Sequence, residues 1–267
     1  MTSITYPNNR VITNDFGSSG SSDDAMSRIR AIKDGSLELA VYSYLGQSSV
    51  VQVDYTEPDL RFDLAHGTGD DPNDGGFDRF DRVIDLLWRD YGSSTDAERI
   101  QHGYDRAGNR LWRRNPVDTN NLHDELYTYD GLYRLKTFKR GMLNGAKDAI
   151  TTLKFAQEWG LDETGNWSSF KEDDDGNSTW DLEQSRSHNK VNEISGISET
   201  TGPSWVDPAY NRVGNTTTIP KPADPTGSFT ATYDAWDHLV KLVEGANTVA
   251  EYFYDGRHFR KIGRAHV

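Results

Sequence analysis

Large rings alternate with polar residues along this chain in short runs, and each run is closed by an Asp or Asn. In Asp124-Glu125-Leu126-Tyr127-Thr128-Tyr129-Asp130 the two tyrosines stand two residues apart, so in an extended strand both rings face the same side. Tyr252 and Tyr254 repeat the arrangement. The Asp that ends such a run can accept hydrogen bonds from backbone amides two residues on, which starts a turn. Gly108 or Gly165 can then take the positive φ that a bulged hairpin loop requires. The return strands read Arg110-Leu111-Trp112-Arg113-Arg114 and Arg134-Leu135-Lys136-Thr137-Phe138-Lys139, whose long basic stems can cover neighbouring rings.

These hairpins recur. Tyr104-Asp105-Arg106-Ala107-Gly108-Asn109-Arg110-Leu111 is the clearest unit, followed by Tyr129-Asp130, Tyr210-Asn211 with Gly214, Tyr233-Asp234 and Tyr254-Asp255. Phe77-Asp78 and Leu161-Asp162 head degenerate copies, and Ser187-His188-Asn189 a weaker one. The spacing is loose, about two strands of 5 or 6 residues plus their connections. A lone hairpin is marginal in water, so successive ones are expected to pair edge to edge and bury their rings in rows. The predicted fold class is therefore all-β, an array of antiparallel hairpins.

The recurring Tyr-Asp-x-x-Gly-Asn-Arg-Leu of 104–111 and its variants resemble the YD repeat of RHS proteins, bacterial toxin-complex subunits and teneurins. The resemblance runs from about Tyr6 to Lys261. It implies a spiralling sheet that forms part of a hollow shell around a C-terminal cargo, often a toxin, or a cell-surface barrel. The implied partners are further repeats and the cargo of the same polypeptide, in a parent that is secreted or displayed at the surface. Irregular or inserted loops are expected near 66–76, 143–154 and 200–228, and Asp81 stands where the motif has Gly.

Composition sharpens this reading. Only 34% of residues are hydrophobic, yet 11% are Phe, Trp or Tyr, so apolar area is carried by a few large rings. A net charge of −13 repels phosphate backbones and anionic lipid, which argues against nucleic-acid or membrane partners. With no cysteine, neither disulfides nor thiolate metal sites can hold the chain. No window approaches 18 consecutive apolar residues, and Met1-Thr2-Ser3-Ile4-Thr5-Tyr6 has no signal-peptide form.

Both ends look cut from something longer. Tyr6-Pro7-Asn8-Asn9-Arg10-Val11 reads as the middle of a repeat. Ile262-Gly263-Arg264-Ala265-His266-Val267 can be encoded by ATC GGA AGA GCA CAC GTC, the opening of a common sequencing adapter, so 1–261 is expected to be the repeat segment and 262–267 a non-native tail.

Chemistry is sparse. Histidines at 66, 102, 123, 188, 238, 258 and 266 show no ligand spacing, and no Gly-x-Ser-x-Gly elbow or phosphate-cradling glycine loop occurs. The acidic runs 69–76 and 172–177 resemble calcium loops in composition but fail the EF-hand positions, which makes them solvated hairpin tips. The Asn-x-Ser/Thr triplets at Asn166, Asn177 and Asn215 read as chance matches. Neither a catalytic residue, a cofactor nor a metal is expected. The rival readings are a glycan- or receptor-binding module using exposed rings such as Trp112 or Trp236, and a hydrolase using two of the 42 acids.

Overall fold

The structure, a computed structural model, describes residues 2–65, 75–118 and 122–265, with side chains through 261. Alternating rings and turn residues produce strands almost throughout. These are β1 (Ser3–Thr5), β2 (Val11–Asp15), β3 (Ala31–Asp34), β4 (Leu37–Leu45), β5 (Ser49–Tyr55), β6 (Leu60–Asp63), β7 (Asp85–Asp90), β8 (Thr95–Tyr104), β9 (Arg110–Arg114), β10 (Asp124–Tyr129) and β11 (Leu135–Leu143). They continue as β12 (Ile150–Leu161), β13 (Trp167–Asp173), β14 (Leu182–His188), β15 (Ile194–Thr201), β16 (Ala209–Tyr210), β17 (Thr216–Pro220), β18 (Ser228–Tyr233), β19 (Leu239–Glu244), β20 (Asn247–Tyr254) and β21 (Arg260–Ala265). One short helix, α1 (Ser22–Ala25), lies between β2 and β3. Among the described residues no helix is long and apolar enough to cross a membrane.

Strand order is chain order. β1 to β15 form one sheet and β16 to β21 a second, each strand bonded to its sequence neighbours. The expected all-β hairpin array is what the chain builds. Two units arise from it, 1–126 with 140–152, and 127–139 with 153–267.

The core is thin in aliphatics. Ala31, Ala40, Val51, Val53 and Leu87 are buried in the first unit, and Ala156, Phe170, Leu182, Ala231 and Ala250 in the second. Rings fill the remaining space by meeting across strands. Phe62 and Trp88 are register partners with centroids 5.2 Å apart, and Trp159 and Phe170 are likewise paired at 6.0 Å. Phe138 meets Tyr127 at 5.6 Å and Phe155 at 6.0 Å. Such cross-strand rows are the unit of stabilisation in an antiparallel sheet.

Two of the expected irregular stretches are more regular than their sequences imply. In 143–154 only 144–149 leaves the strands, because Ile150 already opens β12. Asn144 Oδ1 accepts from the amides of Asp148 and Ala149 and so builds a side-chain-stabilised turn there. In 200–228 the loops are interrupted by β16 and β17. Of 66–76, residues 66–74 lie outside the described residues.

Gly103 shows how tightly neighbouring strands are fitted. Its register partner is Trp112, and a Cβ on Gly103 would stand 2.0 Å from the indole Nε1. The ring thus occupies the room a side chain would take, with Lys147 Nζ 4.1 Å from its centroid. Gly103→Ala is expected to cost about 1–3 kcal/mol by overpacking, whereas Gly131→Ala, which meets open space, stays close to wild type. Urea unfolding of the two variants checks the contrast.

Candidate functional site: the Tyr-Asx turns

Among the described residues eight Asx-headed turns share one backbone geometry. In each, an Asx amide donates to the carbonyl of the residue four on, and the residue three on donates back to the Asx carbonyl. For Asp105 these bonds are Asp105 N to Asn109 O, 2.9 Å, and Gly108 N to Asp105 O, 3.3 Å. The same pair recurs from Asp78, Asp130, Asp162, Asn189, Asn211, Asp234 and Asp255. The third residue always has left-handed φ: Asp81 58°, Gly108 95°, Tyr133 63°, Gly165 92°, Asn192 66°, Gly214 91°, Asp237 63° and His258 65°. This is a three-residue hairpin loop in which a type I turn is followed by a left-handed residue that forms a bulge. Asp81, standing where glycine was expected, adopts the glycine conformation. The copy at Asn189, the faintest in sequence, is as complete as the rest.

The Asx side chain explains why non-glycine residues tolerate that third position. Asp130 Oδ1 accepts from Leu132 N at 2.8 Å and Arg134 N at 3.0 Å. Asn211 Oδ1 does the same with Val213 and Asn215, and Asp255 Oδ1 with Arg257 and Phe259. One oxygen therefore closes the loop from within, offsetting the roughly 1 kcal/mol cost of left-handed backbone. The second oxygen binds the side chain at the fourth position: Arg82 to Asp78, Asn109 to Asp105, Arg134 to Asp130, Asn166 to Asp162 and His238 to Asp234. At Asn189 the polarity is reversed, because its amide donates to Glu193 Oε2 at 2.6 Å.

These donors leave an electrostatic mark. The Asn109 side-chain amide, followed by turn amides, holds Asp105 below the usual carboxylate range. The Arg134 amide does so for Asp130, and the Asn166 side chain for Asp162.

All eight turns follow an even-numbered strand, so within each unit they share one edge of their sheet. The tyrosines join them. Tyr104 hydroxyl donates to Val83 O at 3.1 Å, Tyr233 to Thr216 O at 2.9 Å and Tyr254 to Leu239 O at 3.0 Å. Each acceptor is the residue immediately after the preceding turn on that edge. The fourth-position side chain covers the ring: Arg82 lies 4.7 Å over Tyr104, and His238 stacks on Tyr254 at 4.3 Å. Arg82 and Arg134 also donate to the carbonyls of Asp105 and Asp162 in the following turns. At the β2–β3 connection an enlarged version appears, with Asp23 paired to Arg28, Arg28 over Tyr44, and Tyr44 hydroxyl on Ile29 O at 2.6 Å.

The residues expected in the repeat turns lie at strand ends and in the loops that follow them. Tyr104, Tyr129, Tyr233 and Tyr254 end β8, β10, β18 and β20, Tyr210 ends β16, and Arg110 opens β9 opposite Tyr104. Gly108 and Gly214 take the left-handed position, and Asn109 pairs with Asp105. Tyr6, in the stretch read as the middle of a repeat, occupies the Asx place of a turn of the same backbone form, with its amide on Arg10 O and its carbonyl accepting from Asn9 N. Sequence reading did not anticipate the fourth-position side chain. Its signal was the recurrence of Arg, Asn or His four residues after Asp78, Asp105, Asp130, Asp162 and Asp234.

Other candidate chemistry resolves into structure. Asn166 and Asn215 use their side-chain amides on turn oxygens, which explains the asparagines of two glycosylation triplets. Among the described residues Asp173, Asp175 and Asp181 bring carboxylate oxygens within 4.8 Å of one another. Asp173, however, already accepts from Gly176 N at 2.6 Å and Ser178 N at 2.8 Å, and Asp181 from Asp174 N at 2.9 Å. That acidic run is a bonded hairpin tip, as expected; the run at 69–76 lies outside the described residues as far as 74. His66 and His266 are outside them too. Trp112 packs against the sheet, whereas Trp236, at the second position of its turn, is 70% exposed.

Comparison with known proteins agrees with the turns. No protein-family model and no curated protein matches the chain. Among solved structures, 98% of it is similar to part of the Photorhabdus luminescens Tc holotoxin pore, with a TM-score of 0.57 and 14% identity. The crystal structure of TcdB2-TccC3 matches over 98% of the chain with a TM-score of 0.58 and 15% identity, and its complex with Cdc42 over 98% with 0.57 and 14%. The chain spans only 12% to 13% of the length of those proteins. At this identity the likeness establishes the fold, which is the fold implied by the resemblance to bacterial toxin-complex subunits.

Two outcomes test the turns. Tyr104→Phe is expected to cost about 1 kcal/mol by stranding the Val83 carbonyl; Asp105→Ala lowers the urea midpoint, and Asp105→Asn, which copies Asn211, largely preserves it. Stability also falls with acid in two stages. Burial, followed by the charges of Arg110 and Arg113, lowers His102 from 6.5 to about 4. The unfolded chain therefore takes up that proton first, and stability drops between those values as pH falls. The lowered turn aspartates add their loss below about pH 4, where the unfolded carboxyls protonate before the folded ones. Urea midpoints against pH show both stages, and His102→Phe removes the first.

Proposed function

We propose that this chain is a wall segment of an RHS-type shell, whose role in its parent polypeptide is to enclose a C-terminal cargo or to form a surface barrel. The observation that carries the reading is the chain order of both sheets, in which the Tyr-Asx turns follow even-numbered strands and neighbouring turns within a unit bond to one another at 78 and 105, 130 and 162, 162 and 189, 211 and 234, and 234 and 255. A strip built this way extends by adding further hairpins without altering those already in place. Its mechanism is containment: continuous pairing removes exposed strand edges and excludes proteases from what lies behind. The segment supplies no chemistry of its own, and its partners are the neighbouring repeats and cargo of the same polypeptide. The structural likeness to toxin-complex chains supports this reading, and so does the commitment of turn carboxylates to backbone amides. It fits a parent that is secreted or surface-bound.

A second reading rests on Trp236 and Trp167, which are 70% and 41% exposed and could stack on sugar rings. Loss of glycan-array signal in Trp236→Ala would support it, and a blank array for the wild type would remove it.

The wall reading has a direct test. β1 and β15 end one sheet and β16 and β21 the other. Expressed alone, the chain is expected to associate through such open edges, eluting as oligomers in gel filtration. A sharp monomer peak with cooperative unfolding would overturn it.

A further inference from the structure

Within the second unit the fourth-position side chain of one turn reaches the third-position residue of the next. Asn166 Nδ2 meets Asn192 Oδ1 at 3.0 Å, and Asn215 Nδ2 meets Asp237 Oδ1 at 2.8 Å. Both are complementary amide-to-oxygen contacts. The rung between the last two turns is different in kind, because an imidazole faces an imidazole: His238 Nε2 and His258 Nδ1 stand 3.0 Å apart.

The tautomer of one ring follows from its other side. His238 Nδ1 lies 3.0 Å from Asp234 Oδ2, so that nitrogen carries the proton and Nε2 presents its lone pair. His258 Nδ1 must then be the donor in the empty rung. If the His258 proton moves through solvent from Nδ1 to Nε2, two lone pairs converge across the same gap. Two nitrogens each about 2.0–2.1 Å from a cation are about 2.9 Å apart at a right angle and about 3.3 Å apart at a tetrahedral angle. The observed separation falls in that window without any strand moving.

We propose that His238 and His258 form a site for a divalent d-block cation such as Zn²⁺, Ni²⁺ or Cu²⁺, with Asp234 as the carboxylate that orients the first ligand. Two metal–nitrogen bonds form, two waters leave the cation, and the His258 proton changes nitrogen; nothing is oxidised or reduced. The remaining coordination positions keep water. A carboxylate behind a metal-binding imidazole is the usual supporting arrangement, fixing ring orientation and raising basicity. Tyr254 holds the His238 ring from below, with planes 18° apart at 4.3 Å. Both histidines border an open cleft of about 430 Å³ that also includes Trp236 and Asp255, giving a hydrated cation access. The net charge of −13 concentrates cations near the surface. A bound ion would staple the β18–β19 turn to the β20–β21 turn.

Other copies of the turn provide substitutions that keep the fold. Asn192 occupies the place of His258, Asn215 that of His238, and Asn211 that of Asp234. His258→Asn and His238→Asn therefore preserve a hydrogen-bonded rung while removing an imidazole. Asp234→Asn preserves the turn but offers an amide to His238 Nδ1, which favours the wrong tautomer. The test is equilibrium dialysis of the full chain, in whatever assembly it adopts, against each metal chloride, with bound metal counted per chain. One saturable ion per chain is expected, held more tightly for Cu²⁺ than for Zn²⁺ or Ni²⁺. Each His→Asn variant should weaken that binding at least tenfold, and Asp234→Asn by roughly 10–100-fold. His188→Asn should not change it. Wild-type binding retained by both His258→Asn and His238→Asn, or no saturable binding to the wild type, overturns the proposal. Urea midpoints in chelator confirm that the variants remain folded.

Discussion

The structure depends on a carboxylate or amide oxygen that turns inward after each even-numbered strand from β6 to β20 and gathers the amides of its own loop. Asp130 illustrates the economy of this device: one oxygen takes Leu132 N and Arg134 N, and the other takes the Arg134 guanidinium. The loop becomes self-contained, so its left-handed residue need not be glycine. Once the turn is rigid, the residue after it presents a carbonyl at a fixed place, and a tyrosine from the next hairpin can find it. Local closure thus comes first and lateral cohesion follows.

That order suits a chain with few aliphatic side chains. A sheet whose buried residues are largely alanines, valines and leucines, with rings meeting in rows, has modest apolar burial per strand. Polar contacts at the turn edge supply some of the specificity that a thick core would otherwise give. Tyr104 combines the two contributions, its ring under Arg82 and its hydroxyl on Val83. The tyrosine in the motif is therefore both filler and fastener.

Much of this was legible in the residues. The ring-polar alternation gave the strands, and Tyr-Asp with Gly three residues on gave the hairpin loops. What stayed hidden was whatever depends on substitutes for the familiar letters. Asp81 and Tyr133 do a glycine's work because hydrogen bonds offset the backbone cost, which no propensity reveals. Asn189 looked marginal because its neighbours His188 and Lys190 lack the usual aromatic and small residues, yet its loop closes fully. The strands within 143–154 and 200–228 were missed because Thr-rich and Pro-flanked segments carry little hydrophobic rhythm of their own; their neighbours impose the extended form.

The reversed pair at Asn189 and Glu193 has a wider meaning. At five other turns the acid comes first and the donor second, as at Asp162 and Asn166; here the amide comes first and the acid second, on an unchanged backbone. A loop of this type is defined by the balance of protons between two positions, so both letters can be exchanged together while the path of the chain stands still. Lineages carrying such loops are free to lose each other's spelling long before they lose each other's shape.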